Sequence, residues 1–144
     1  MMRLIFANFL AVFMLWSSAT HAWEEPARGT PTRAALMDAI RPTAEYLLGA
    51  PVEFVVYELR RSADMAFAML NAQRPGGVPI DYATTPAVIR GEMDVQQDVT
   101  GAQVFYRLTG SGWIVEEFSF GATDVWFAAE PFCTRYRALI SDYC

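Results

Sequence analysis

The sequence contains no lysine; all 11 of its cationic side chains are arginines. A chain without lysine forms no Schiff base and has no phosphate-loop lysine. Histidine occurs once, at His21, in a stretch that reads as removed from the mature protein. Without His21 there is no Ser-His-Asp or Cys-His mechanism and no imidazole zinc site. No cofactor and no metal are assigned. Cationic runs are also missing, the longest being Arg60-Arg61. Sixteen acids outnumber the arginines, for a formal net charge of −5. Phosphate neutralisation supplies most nucleic-acid affinity, so no nucleic-acid partner is expected, and the arginines read as surface charge. Internal repeats and low-complexity tracts are absent as well.

The N-terminus has the three-part layout of a secretory signal peptide. Met1-Met2-Arg3 is a short cationic start, and Leu4 to Trp16 is apolar apart from Asn8. Small residues follow, and Thr20 with Ala22 meets the small-x-small rule for cleavage after Ala22. Ser17 with Ala19 offers a second site. The apolar run is short for a bilayer, which needs about 20 residues. Residues 1–22 therefore read as a leader rather than an anchor, with no stable membrane attachment after cleavage. Residues 23–144 read as one periplasmic or secreted domain. Losing Arg3 leaves ten arginines against 16 acids, a net charge of −6. Such a domain buries roughly 60% or more of its unfolded surface, enough for one core.

Two cysteines in an exported chain point to one disulfide, Cys133–Cys144, rather than two free thiols. Their spacing matches no metal or redox motif. The bond would staple the C-terminal stretch.

Thr30-Pro31 is a helix start, with Thr as cap and Pro in the first turn. Leu36, Ala39, Ile40, Thr43, Ala44 and Leu47 repeat at three and four and give one apolar face. Pro42 interrupts the pattern, by a kink or by dividing two helices. Gly49 is the stop. Val52 to Arg60 and Met65 to Gln73 read as a hairpin around a turn at residues 61–64. Val78 to Tyr82 reads as a short edge segment. Residues 84–101 are irregular, and connections of that length are often functional.

A second hairpin joins residues 103–108 to residues 113–120 through Thr109-Gly110-Ser111-Gly112. On its return strand, alternation sets Ile114, Glu116, Phe118 and Phe120 on one face, and Trp113 and Val115 on the other. Aromatic residues on both faces predict a sheet covered on one side and partly covered on the other. Residues 131–144 read as a compact tail with a helical turn. The expected fold is α+β, an N-terminal helix packed on a curved antiparallel sheet of about four strands.

The helix at Leu36 to Leu47, followed by A-Q-V-F-Y-R-L-T-G-S-G-W-I-V-E-E-F at residues 102–118, resembles the cystatin-like and nuclear transport factor 2-like superfamily. That resemblance implies a helix lying in the concave face of a bent sheet. P-V-E-F-V-V at residues 51–56, Q-R-P-G-G at 73–77 and T-D-V-W at 123–126 resemble small exported proteobacterial proteins of unknown function, a likeness that implies no activity.

Some members of the nuclear transport factor 2-like group are isomerases, cyclases or dehydratases that use Asp, Tyr or His in a sheet pocket. The chemistry needs a carboxylate near apolar walls, where desolvation raises its pKa. Glu116 is the candidate base and Tyr106 the candidate donor. The competing reading pairs Glu116 with Arg107. Arg74, with Pro75, Gly76 and Gly77, is a candidate anion contact or a tight surface turn. Asp124 and Trp126 are candidates for a pocket rim, with Asp124 alternatively capping a turn. Asp81, Glu92, Asp94 and Asp98 lack calcium-loop spacing and read as exposed loop acids.

Three functions follow as expectations. The leading one is a non-catalytic interaction module that binds a protein or envelope ligand through a sheet face or residues 84–101. The second is a pocket protein or enzyme of the nuclear transport factor 2-like group. The third is a periplasmic inhibitor or immunity-type protein.

Overall fold

Thr30 opens the first helix, α1 (Pro31–Leu48), from an extended backbone, its hydroxyl accepting the Arg33 N–H at 3.4 Å. The computed structural model describes residues 22–144. The expected leader therefore lies, but for Ala22, outside the described residues. Leu36, Ile40, Ala44 and Leu48 are all fully buried along one stripe of α1. Burial of each large aliphatic side chain contributes about 1.5–3 kcal/mol. Pro42 neither ends nor divides the helix. The bond it forgoes is the one Asp38 would accept, and both residues are exposed, so that side of the helix faces solvent and the loss is small. Gly49 stops the helix at a φ of +82°, a conformation glycine adopts without penalty.

Four strands follow: β1 (Glu53–Ser62), β2 (Met65–Gln73), β3 (Gly101–Thr109) and β4 (Gly112–Phe120). They form one antiparallel sheet in the order β1-β2-β3-β4, open at both edges. The class is α+β, as expected. The first strand runs past Arg60 to Ser62, so the turn narrows to Ala63 and Asp64, with Ala63 at a φ of +52°. Val78 makes only an isolated bridge with Arg74 instead of an edge segment.

The register slips once in each hairpin. Val56 opposes Leu70 and Glu58 opposes Met69, leaving Tyr57 as an extra residue. Phe105 opposes Glu117 and Tyr106 opposes Val115, leaving Glu116 extra. A bulge of this kind shifts the side-chain alternation by one. Phe118 and Phe120 therefore pair with Val104 and Ala102, on the same face as Trp113 and Val115. The expected grouping of Phe118 with Glu116 is thus corrected.

Each face of the sheet carries its own core. On one, α1 packs against Leu59, Ala66, Ala68, Leu70, Val104 and Tyr106. On the other, Phe67 and Phe105 are buried under residues 122–144, with Phe127, Tyr136, Leu139 and Ile140. The tail holds two short helices, α3 (Phe132–Arg135) and α4 (Arg137–Ile140), flanking Tyr136. A disulfide joins Cys133 to Cys144 with the Cα atoms 5.8 Å apart. The second face is more fully covered than the alternation implied.

Residues 74–100 cross from β2 to β3 with a short helix, α2 (Pro86–Ile89). Ile80, Thr85, Ala87, Val99 and Thr100 are buried, so the connection is anchored at both ends. Met93 also packs on the helix-side core, whereas its neighbours from Ile89 to Asp98 are exposed.

Candidate functional site

An open surface groove lies beside β1. α1 approaches the backbone of β4 closely and stands off from β1. The gap is an open groove of about 660 Å³ between the first half of α1 and residues 54–56. Its charged wall holds Arg28, Arg33 and Arg41, with Asp38 the one acid among its lining residues. Arg33 donates to the Pro26 carbonyl at 2.9 Å and pairs with Glu25 at 3.4 Å. Arg41 donates to the Val52 carbonyl, pairs with Asp38 at 3.4 Å, and lies 5.6 Å from the centre of the Phe54 ring. Arg28 is exposed and has no ion pair among the described residues.

The backbone of β1 forms the groove's other wall. Its two ends are occupied. Arg61 exchanges two backbone hydrogen bonds with Glu24, each 2.8 Å. Val52 donates to the Glu45 carboxylate at 3.2 Å and accepts from Arg41. Residues 61 and 52 differ in parity, yet both turn their polar groups outward, because the extra residue Tyr57 lies between them. Leu59, Val56 and Phe54 therefore also direct their N–H and C=O groups away from β2. No hydrogen bond from outside the β1–β2 ladder reaches them among the described residues. Val55 and Tyr57 are exposed beside them, Tyr57 at 73%.

The candidate base and donor are not brought together. Tyr106 faces α1, fully buried, and its hydroxyl has no hydrogen-bond partner. Burial pushes that hydroxyl far above the ordinary tyrosine range. Glu116, turned to the other face by its bulge, accepts from the Tyr136 hydroxyl at 2.8 Å and from Arg107 at 3.2 and 3.3 Å. Burial raises the Glu116 carboxyl, but hydrogen bonds from Arg107 and Tyr136 and the nearby guanidinium charges outweigh it, and the net shift is downward. A base poised near neutrality needs the opposite shift. Glu116 is thus the Arg107 ion-pair partner of the competing reading, extended to Asp64 at 3.3 Å from Arg107. The acceptor in turn pushes Tyr136 up to about 12, after the larger effect of its burial.

Arg74 does not face outward toward an anion. Its guanidinium donates to the carbonyls of Leu48 at 2.8 Å, Pro51 at 3.0 Å, and Gly49. It satisfies the C-terminus of α1, where carbonyl groups and the helix dipole favour a cation. Trp126 is half-buried, its indole N–H donating to Gln103 at 2.7 Å, and it packs edge-on against Phe105 and Phe132. Asp124 is exposed and accepts no hydrogen bond among the described residues, so it does not cap the turn. Asp81, Asp94 and Asp98 accept backbone N–H bonds from residues two further along the chain. Among the described residues no group of three His, Cys, Asp or Glu side chains is placed to hold a metal ion.

One cluster escaped the sequence reading. Arg60, read as surface charge, is 6% exposed. It binds both Asp142 oxygens, at 2.5 and 2.8 Å, and the Leu139 carbonyl at 2.6 Å. Its Nε contacts Glu58 in an ion pair, and its guanidinium lies over the rings of Trp23 and Tyr143, at 4.7 and 5.2 Å. Tyr143 closes the ring by donating to Glu58 at 2.6 Å. The hydrogen bond from Arg60 holds the Asp142 carboxyl below its ordinary range. Glu58 and Arg60, two apart on a strand, share a face, which was the available signal; their partner 82 residues further on carried none.

Comparison with protein families, with curated proteins and with solved structures finds no match for this chain.

Proposed function

We propose that this chain is an exported interaction module that binds a protein partner and catalyses no reaction. The observation that carries the reading is the distribution of its surfaces. Both faces of the sheet are filled by the chain's own segments, while the edge at β1 is bare beside an open groove. A pocket enzyme of the nuclear transport factor 2-like kind would need room over the middle of the sheet, yet Leu36, Ile40, Ala44 and Leu48 fill that space and the groove opens only at the β1 side. Its required carboxylate would also need a raised pKa, and Glu116 is shifted the other way. Export is supported by the signal-like N-terminus and by the disulfide, a bond that persists in oxidising compartments. No helix among the described residues is long and apolar enough to cross a membrane.

The test is a native, unreduced mass spectrum of the protein isolated from periplasm. The expected species begins at Trp23, has lost two thiol hydrogens and carries no small-molecule adduct. An unprocessed chain refutes export. A stoichiometric small-molecule adduct refutes the protein-binding reading in favour of a pocket.

A further inference from the structure

We propose that the bare edge of β1 is a strand-addition site, and that its partner is an extended, acidic segment of another protein. The inference rests on the interaction-module reading and names the surface and the chemistry. Strand addition needs a sheet edge with outward N–H and C=O groups, and side-chain contacts at alternate positions for selectivity.

β1 supplies the first requirement at Phe54 and Val56, two outward positions in an unbroken stretch, with Leu59 beyond the bulge. The bulge and the two occupied ends limit the site. They confine an incoming strand to the stretch between the Glu24 bridge at Arg61 and the Arg41–Glu45 clamp on Val52. Proline and lysine, which often blunt an edge, are absent from residues 53–59, and the bulge at Tyr57 leaves Phe54 and Val56 as the regular stretch.

The side-chain requirement is met by the groove. An added strand would lie along it, with alternate side chains pointing toward α1. There they would meet Arg28, Arg33 and Arg41, three cations against Asp38 and the Arg33 partner Glu25. The chain as a whole is acidic, at −5, so this concentration of arginines runs against its overall charge. Arg28, which has no ion-pair partner among the described residues, is the side chain available to recognise an incoming carboxylate. The intervening side chains of the partner would face Val55 and Tyr57, both exposed and both apolar in body. The partner is therefore acidic at every second residue and apolar or aromatic between. A second copy of this chain is disfavoured, because its β1 would point Phe54 and Val56 at the arginines, without a carboxylate.

The experiment uses the oxidised full-length mature chain and a short fluorescent peptide alternating glutamate with valine. Amide shifts are followed by NMR and affinity by fluorescence polarisation. Binding should perturb the amides of Phe54 and Val56 and weaken as salt is raised. Val56→Pro, which removes one outward donor, should weaken binding about ten-fold. Arg28→Glu should weaken the glutamate peptide about three-fold and not a lysine–valine counterpart. A glutamate–valine peptide N-methylated at alternate nitrogens should fail to bind, a control independent of how Val56→Pro folds.

Retained affinity for the N-methylated peptide overturns strand addition. Equal binding of the lysine peptide at the same amides overturns the acidic partner. Perturbation confined to residues 89–98 overturns the β1 site and leaves the interaction-module reading standing. Protection of Phe54 and Val56 that grows with protein concentration alone shows a second copy on the edge and overturns the proposal.

Discussion

Replacing Tyr106 by phenylalanine should make this protein more stable. The Tyr106 side chain is fully buried between the sheet and α1, and its hydroxyl has no partner. In the unfolded chain the same hydroxyl is hydrated. An unsatisfied buried hydroxyl costs about 1–3 kcal/mol. Deleting the oxygen leaves a void of about 12 Å³, and at about 24 cal/mol per Å³ this returns about 0.3 kcal/mol of the gain. The ring keeps its contacts, so the net expectation is about 1.5 kcal/mol of added stability. For a domain of this size that corresponds to a melting temperature raised by about 6 °C. The assay is urea unfolding of the oxidised proteins, followed by tryptophan fluorescence. The midpoint should rise at an unchanged slope, since the buried area hardly changes. A midpoint lowered by Tyr106→Phe would refute the reasoning, because it would mean that the hydroxyl has a hydrogen-bond partner worth more than its burial costs.

Four further expectations follow from the tail, its contacts with the sheet and the helix end. Stability should fall as pH rises from about 10 toward about 12. Tyr136 and Tyr143 are both raised to about 12 in the folded state, chiefly by burial, so their stabilisation is complete below the unfolded value of 10 and lost above it; Tyr136→Phe and Tyr143→Phe should flatten that decline. At the acid end Glu116 and Asp142 are shifted downward, so their stabilisation holds above the ordinary values of 4.5 and 3.8 and is lost as pH falls below them; urea midpoints between about pH 6 and about pH 2 should show it. The double variant Cys133→Ser, Cys144→Ser should lose about 3 kcal/mol through the freed loop entropy, and hydrogen exchange should rise in residues 122–144 and at Phe105 before α1 is affected; unchanged exchange in the tail would contradict this. Arg74→Ala should cost about 1–3 kcal/mol by stripping the last carbonyls of α1, and Arg74→Lys should restore less than half of it, since one ammonium does not reproduce the guanidinium fork; wild-type stability of Arg74→Lys would show that charge alone suffices.

The parts of the fold that could be read in the sequence were those set by local pattern. Thr30-Pro31 and the apolar spacing marked α1, and alternation around Thr109 to Gly112 marked the second hairpin. Pro42 could not be resolved locally, because its cost depends on whether its side of the helix faces water. The bulges were invisible for a different reason. One extra residue changes neither composition nor local propensity, yet it reverses the direction of every side chain beyond it. That is why Glu116 was grouped with Phe118 and paired with Tyr106, when it meets Arg107 and Tyr136 instead. Arg60 and Arg74 were misread as surface charge because their acceptors, Asp142 and the end of α1, come from distant parts of the chain. The bare edge of β1 was hidden too, since edge position is a property of strand order rather than of any strand's own residues.

The layering of the molecule also has a consequence in time. The sheet is complete once Phe120 has been made, and α1 is already available to cover its first face. The second face then presents Phe67 and Phe105 to whatever surrounds the nascent chain until residues 122–144 follow. A chain cut short after β4 would keep every strand and still display an aromatic surface meant for its own tail. Chaperones that recognise such surfaces, and proteases that act on them, would thus distinguish a finished molecule from an unfinished one by its last layer alone.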